Sequence, residues 1–109
     1  MRSNASDLRW QFAHGLWYGL GVVWPIISGI LVLQFAMGTL VAYLEGWSLS
    51  AGWYFTSVTG LTIGYGDLVP QSPLARLLAV VIGVFGILLT ALVAAVAVRA
   101  LQVALDAGR

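Results

Sequence analysis

Thr62-Ile63-Gly64-Tyr65-Gly66-Asp67 has neither helical nor strand periodicity, yet it sits in the middle of a chain that is otherwise overwhelmingly apolar. Glycines at alternate positions let the backbone switch between ordinary and left-handed conformations at little cost. Such alternation turns successive carbonyl oxygens toward one line. Neutral carbonyls in a row can replace the hydration shell of a bare monovalent cation without binding it too tightly. The expected ligands are the carbonyls of Thr62, Ile63, Gly64 and Tyr65, with the Thr62 hydroxyl at the inner end and Gly66 completing the alternation. Ile63 and Tyr65 are expected to point away from that line and to pack the run against the element before it. Irregular backbone at membrane depth is tolerated only where it is buried in protein or lines a wet path, so the run reads as an ion path, with potassium as the ion.

Outward from it, residues 45–73 separate two apolar stretches. Ser48 or Ser50 is placed to cap a short helix ending near Leu61, roughly 18 Å long and thus about half a membrane. Its negative C-terminal end would favour a cation at the inner mouth of the run. Ser72-Pro73 looks like an N-cap followed by a first-turn proline. Residues 77–98 carry no charge, and at 1.5 Å per residue they extend roughly 33 Å, enough to cross the hydrocarbon core. On the N-terminal side, residues 16–44 are apolar but interrupted by Trp24-Pro25. Proline there is expected to kink one helix or to begin a new one. Residues 7–18 mix Arg9, Gln11 and His14 with Leu8, Trp10, Phe12 and Trp17. They read either as an interfacial helix or as a continuation of the spanning helix into the headgroups. The Gly15 and Gly19 pair reads as helix packing.

Composition agrees. Of 109 residues, 61% are hydrophobic and 8% charged, against about 25% charged in soluble domains. The net charge of +1 gives no reason to expect a nucleic-acid partner, and no cysteine is present. No constellation of polar groups supports an enzyme. Arg2, Arg9, Arg99 and Arg109 flank the outer ends of the spans, whereas the connecting segment carries Arg76, Glu45 and Asp67. That asymmetry predicts a multi-pass plasma-membrane protein with both termini in the cytoplasm, where the Asn4-Ala5-Ser6 sequon has no role. The expected organisation is an N-terminal interfacial segment 1–19, an outer spanning helix 20–46, a short helix with the irregular run and loop at 47–73, an inner spanning helix 74–102 and a tail 103–109.

Residues 59–67 match a T-x-x-T-[V/I]-G-Y-G-D signature at every fixed position, and the chain resembles the pore module of potassium channels of the simple two-transmembrane prokaryotic kind over about residues 25–102. The resemblance implies an all-α membrane protein with an outer helix, a re-entrant pore helix, a selectivity filter and an inner helix. It also implies a homotetramer in membrane lipid, each subunit joined by three identical ones, that passes potassium ions passively. It places a gating hinge at Gly86. Together with a spacing of three and four residues, it places Ile87, Thr90, Ala94 and Val98 along the inner cavity, the last two near a constriction that gates by dewetting. No arginine ladder marks a voltage sensor, and any separate regulatory partner is unspecified. A weakly selective cation channel and a small non-conducting assembly subunit are the alternatives. A tetramer favours a pore, and a monomer or dimer favours the assembly subunit.

The chain departs from some of these relatives around the filter. Where they carry a pore-helix Glu that supports the filter Asp, this chain has Val58, and their paired tryptophans align with Tyr54 and Phe55. Thr59 keeps the signature. Asp67 therefore needs another partner, for which Tyr54 and Trp53 are the candidate donors. Val58→Glu is expected to change open-state lifetimes in long single-channel recordings, and lifetimes identical to the parent's would overturn this reading.

Overall fold

The computed structural model describes residues 5–107, so Arg2, Asn4 and Arg109 lie outside the described residues. It is helical, with α1 at Ala5–Glu45, α2 at Leu49–Gly60 and α3 at Pro73–Ala107. The two long helices have 41 and 35 residues, or roughly 62 and 53 Å. Both are long and apolar enough to cross a membrane, and both exceed the hydrocarbon core of about 30 Å.

Pro25 lies inside α1, which continues through it. The piece at 7–18 is therefore a continuation of the same helix, and the division expected at residues 19 and 20 has no counterpart in the backbone. Proline removes one donor from the helix. A full break in apolar surroundings would uncover several backbone groups at once, which costs more. At the other end, α3 does not stop at 102. Ala100, Leu101, Gln102, Ala104 and Leu105 favour helix, and the helix runs on through most of the expected tail.

The stretch 27–90 forms one body of contacts. Its core is Val41, Phe55, Ala75 and Ile82, flanked by Met37, Leu44, Trp47 and Leu68. Small residues bring α2 onto α1. A Cβ on Gly52 would stand 2.6 Å from that of Ala42, and one on Gly38 would overlap the Thr56 hydroxyl. Aromatic edges close the seam, Phe35 on Trp53 at 5.7 Å and Trp47 on Phe55 at 5.3 Å between ring centroids. The connection into α3 is fixed by Glu45, whose Oε1 accepts from the amides of Gln71 and, at 2.9 Å, Ser72. Ser72 Oγ in turn accepts from Ala75 N at 3.3 Å, the N-cap read from the sequence. Arg76 Nε donates to the Pro70 carbonyl at 3.1 Å.

The second body joins the first part of α1 to the last part of α3. A Cβ on Gly15 would meet that of Ala100 at 3.4 Å, and one on Gly19 would meet Val96 Cγ1 at 2.7 Å. The two helices are therefore antiparallel here, and the G-x-x-x-G pair serves packing within the chain.

Gly38→Ala is expected to destabilise the fold by about 1–3 kcal/mol, because the added methyl has no room beside Thr56. Gly21→Ala meets nothing within 4 Å and is expected to be neutral or stabilising by up to about 1 kcal/mol. Thermal unfolding of the two variants in the same detergent checks the contrast.

Candidate functional site

The segment after α2 is built from that helix. Ser48 caps its start, its side chain accepting from Ala51 N at 3.1 Å, so α2 enters from a fixed point. At its other end the last carbonyls would lack partners. The following residues supply them: Leu61 N bonds Ser57 O at 3.0 Å, and Thr62 N bonds Thr59 O at 3.1 Å. Val58 O takes two amides, from Ile63 at 2.8 Å and Gly64 at 3.1 Å. The amides of residues 62–64 are thus occupied by α2, and none of these bonds uses the carbonyls of Thr62, Ile63, Gly64 or Tyr65.

Backbone handedness alternates as the glycine spacing suggests. Gly64 has φ +60° and Gly66 φ +81°. The sequence reading missed a third member, Thr62, at φ +62°. A β-branched residue in that region is an outlier, at a cost of about 1–3 kcal/mol. Its amide bond to Thr59 and its hydroxyl, which donates to Leu61 O at 2.6 Å, hold it there. The hydroxyl is thus engaged by its own chain. Residues 61–67 are all exposed in the single chain. Ile63 and Tyr65 are 47% and 68% exposed, so one chain alone does not bury them against its own α2 as the sequence suggested.

The supporting residues divide. Tyr54 hydrogen-bonds Asp67, and this bond, followed by a smaller effect of burial and the repulsion of the carboxylate for a phenolate, raises the tyrosine pKa above 10. Trp53, the other candidate donor, instead gives its Nε1–H to Thr39 Oγ1 at 3.1 Å. Phe55 is buried in the core against Trp47. Val58 is buried too, and its contribution to the segment is its backbone carbonyl.

Below α2, Gly86 of α3 lies so close to Gly60 that a Cβ there would overlap the Gly60 carbonyl. Close helix approach is therefore observed at this glycine. One turn earlier, Ile82 O accepts from the buried Gln34 Nε2 at 3.0 Å. Gln34 thus bonds α3, and Thr39 accepts from Trp53 of α2. Gly86, Thr90 and Gln34 line a small cavity of about 190 Å³ under Gly60 and Leu61. Ile87, Thr90, Ala94 and Val98 are each exposed along α3. Neither the role of Glu45 nor that of Gln34 carried a sequence signal beyond a polar residue at the edge or middle of an apolar span. No cluster of metal-binding side chains occurs among the described residues.

Residues 25–103 match the family model described as ion channel, and the chain belongs to that family. Among curated proteins it is similar to mouse potassium channel subfamily K member 4, 35% identical over 67 residues, 62% of this chain and 17% of that protein. Human potassium channel subfamily K member 16 is 40% identical over 50 residues, 46% of this chain and 16% of that protein. The TWiK family of potassium channels protein 7 of Caenorhabditis elegans is 31% identical over 65 residues, 54% of this chain and 12% of that protein. The chain spans less than a fifth of the length of these relatives. No solved structure matches it significantly. Two membrane-length apolar helices and this membership make it a membrane channel protein rather than an enzyme.

Tyr54→Phe is expected to shorten open periods, because Asp67 loses its donor, whereas Trp53→Phe leaves the Asp67 bond intact. With the tyrosine pKa raised, its protonated donor form is fully present at neutral pH and is lost only as pH rises through the raised value. Recordings of both variants at neutral pH check the prediction, and equal behaviour would contradict it.

Proposed function

We propose that the chain is a subunit of a potassium-selective channel in which residues 62–66 of four copies surround one axis as the selectivity filter. The observation that carries this reading is the alternation of left-handed backbone at Thr62, Gly64 and Gly66, with the intervening amides tied to α2. A strained threonine ahead of two left-handed glycines makes little sense as an ordinary surface turn, and makes sense where carbonyls must line up. The similarity to potassium channel proteins supports the same ion.

In this reading potassium enters dehydrated and is held by the carbonyls of Thr62, Ile63, Gly64 and Tyr65, repeated around the axis. Thr62 Oγ1, though donating to Leu61 O, retains lone pairs for the innermost position. α2 is the re-entrant pore helix, and its C-terminal end carries partial negative charge toward the inner cavity. Ile87, Thr90, Ala94 and Val98 line that cavity, and Ala94 and Val98 narrow it near the cytoplasmic end. A bend of α3 at Gly86 would move the surface on which Gly60 rests, so the glycine serves as hinge and contact together. Both termini face the cytoplasm and the channel sits in the plasma membrane. One chain leaves residues 61–67 uncovered, and a ring of copies supplies the missing wall.

The test is the reversal potential of the purified protein in a planar bilayer, with potassium on one side and sodium on the other. A value near the potassium limit, abolished by Gly64→Ala or Tyr65→Ala, is expected. Robust current reversing near zero would exclude potassium selectivity.

A further inference from the structure

Gln34 is a long polar side chain in the apolar middle of α1, and it is only 4% exposed. A buried amide has to find a partner, and here the partner is specific. Its Nε2 donates to the Ile82 carbonyl of α3 at 3.0 Å. Because α3 is unbroken over Pro73–Ala107, that carbonyl is also the acceptor, four residues back, of the Gly86 amide. A carbonyl oxygen has two lone pairs and can serve both donors. Gln34 is thus bonded to the group whose helical bond a bend at Gly86 would break.

The surroundings divide α3 at the same place. Its two glycines, Gly83 and Gly86, both follow Ile82 within about one turn. Ahead of them the helix is held: Ser72 is bonded to Glu45, and Ala75 and Ile82 are completely buried. A Cβ on Gly83 would meet nothing within 4 Å. Gly86, Leu89 and Thr90 line the cavity of about 190 Å³ beside Gln34. Residues 83–90 therefore have both the backbone freedom and the room to tilt. The end of α2 meets the same amide, since a Cβ on Gly60 would stand 3.1 Å from Gln34 Nε2.

A bend that parts the Gly86 amide from Ile82 O leaves a carbonyl buried among apolar residues. With no other donor, that unsatisfied acceptor disfavours the bent form by about tenfold or more. With Gln34 Nε2 already on it, the carbonyl keeps a partner throughout the movement. Helices kink where a side chain substitutes for a bond of the helical ladder. The Gly60 carbonyl, which stands against Gly86, is an acceptor for the amide set free.

We propose that Gln34 is a positioning residue for the movement of α3: it holds the Ile82 carbonyl that bending at Gly86 releases, and so sets where the helix bends and how readily. This inference rests on the hinge role given to Gly86 in the channel reading. It assigns a task to a side chain that touches neither the ion path nor the constriction.

Hydrogen–deuterium exchange of the purified full-length protein in detergent, read by mass spectrometry, tests it. Amides at 84–90 exchange only when their helical bonds open. Gln34→Leu keeps the bulk and removes the donor. It is expected to slow exchange over 84–90 about tenfold, whereas loss of a purely structural bond would speed it. In planar bilayers the same variant is expected to open about tenfold less often, with its reversal potential unchanged. Gln34→Glu has a donor only while the carboxyl is protonated. Its opening frequency is expected to approach the parent's at acidic pH and that of Gln34→Leu at alkaline pH. Exchange over 84–90 that is unchanged or faster in Gln34→Leu would overturn the proposal, as would the parent's pH profile in Gln34→Glu. A parent that conducts without potassium selectivity would overturn the selectivity reading alone, because the exchange result does not depend on conduction.

Discussion

The Val58 carbonyl accepting two amides, from Ile63 and Gly64, is the constraint on which the rest of the site depends. A helix that ends inside an apolar body must satisfy its last carbonyls from within the chain. Here the chain does so by folding the next residues back under α2, which uses their amides and leaves their carbonyls on a separate set of vectors. Left-handed backbone at Thr62, Gly64 and Gly66 is what permits that fold-back to repeat. The strain at Thr62 is tolerable because its amide and hydroxyl are both tied to the end of α2. A proposed filter made this way is an extension of helix termination, and its position is only as fixed as α2 itself.

α2 is held at three levels. Ser48 fixes its start. Small residues at Gly38, Gly52 and Ala42 let its middle seat on α1, where Trp53 also bonds Thr39. Its end rests on Gly86 of α3, beside the bond from Gln34 to Ile82. This last contact has a mechanical consequence. Gly60 lies two residues before Thr62, so a shift of α3 at Gly86 would reach the proposed filter residues through a backbone contact with no side chain between. Glu45 acts at the start of α3, joining Gln71 and the N-cap Ser72 to the last residue of α1. α3 is therefore bonded to α1 both at its start and at the level of Ile82.

Local grammar was legible in the sequence wherever one residue type has one physical role. Ser48, one of the two serines offered before α2, Ser72-Pro73 before α3, and the left-handed glycines at 64 and 66 were legible. Legibility failed where the outcome depends on which partner a group meets. Pro25 left a kink within one helix and a new helix start both open, and apolar surroundings made continuity the smaller cost, so α1 runs through it. Phe55, aligned with one of the relatives' paired tryptophans, completes the packing of Val41, Ala75 and Ile82, a contact its alignment did not announce. Thr62 gave no sign of its positive φ, since nothing in a threonine announces a conformation that only its neighbours stabilise. Tyr54 and Trp53 were equal as donors to Asp67 until Thr39 took the indole.

The distribution of exposure carries the argument one step further. A chain that buries Val41, Ala75 and Ile82 completely has a settled interior, so the bare surface elsewhere is not a sign of poor packing. Some of that surface faces lipid, which explains exposed Leu and Val on the long helices. On the proposed filter reading, lipid does not cover residues 61–67, because their carbonyls would then lie in hydrocarbon without donors, at several kcal/mol each by the usual cost of an unsatisfied polar group. Water on all sides would leave Ile63 and Tyr65 exposed beside them. An arrangement that meets both requirements puts the carbonyls on a narrow wet axis and the two side chains against protein. A single chain offers one wall of such an axis, and symmetric repetition of that same wall is the simplest way to close it.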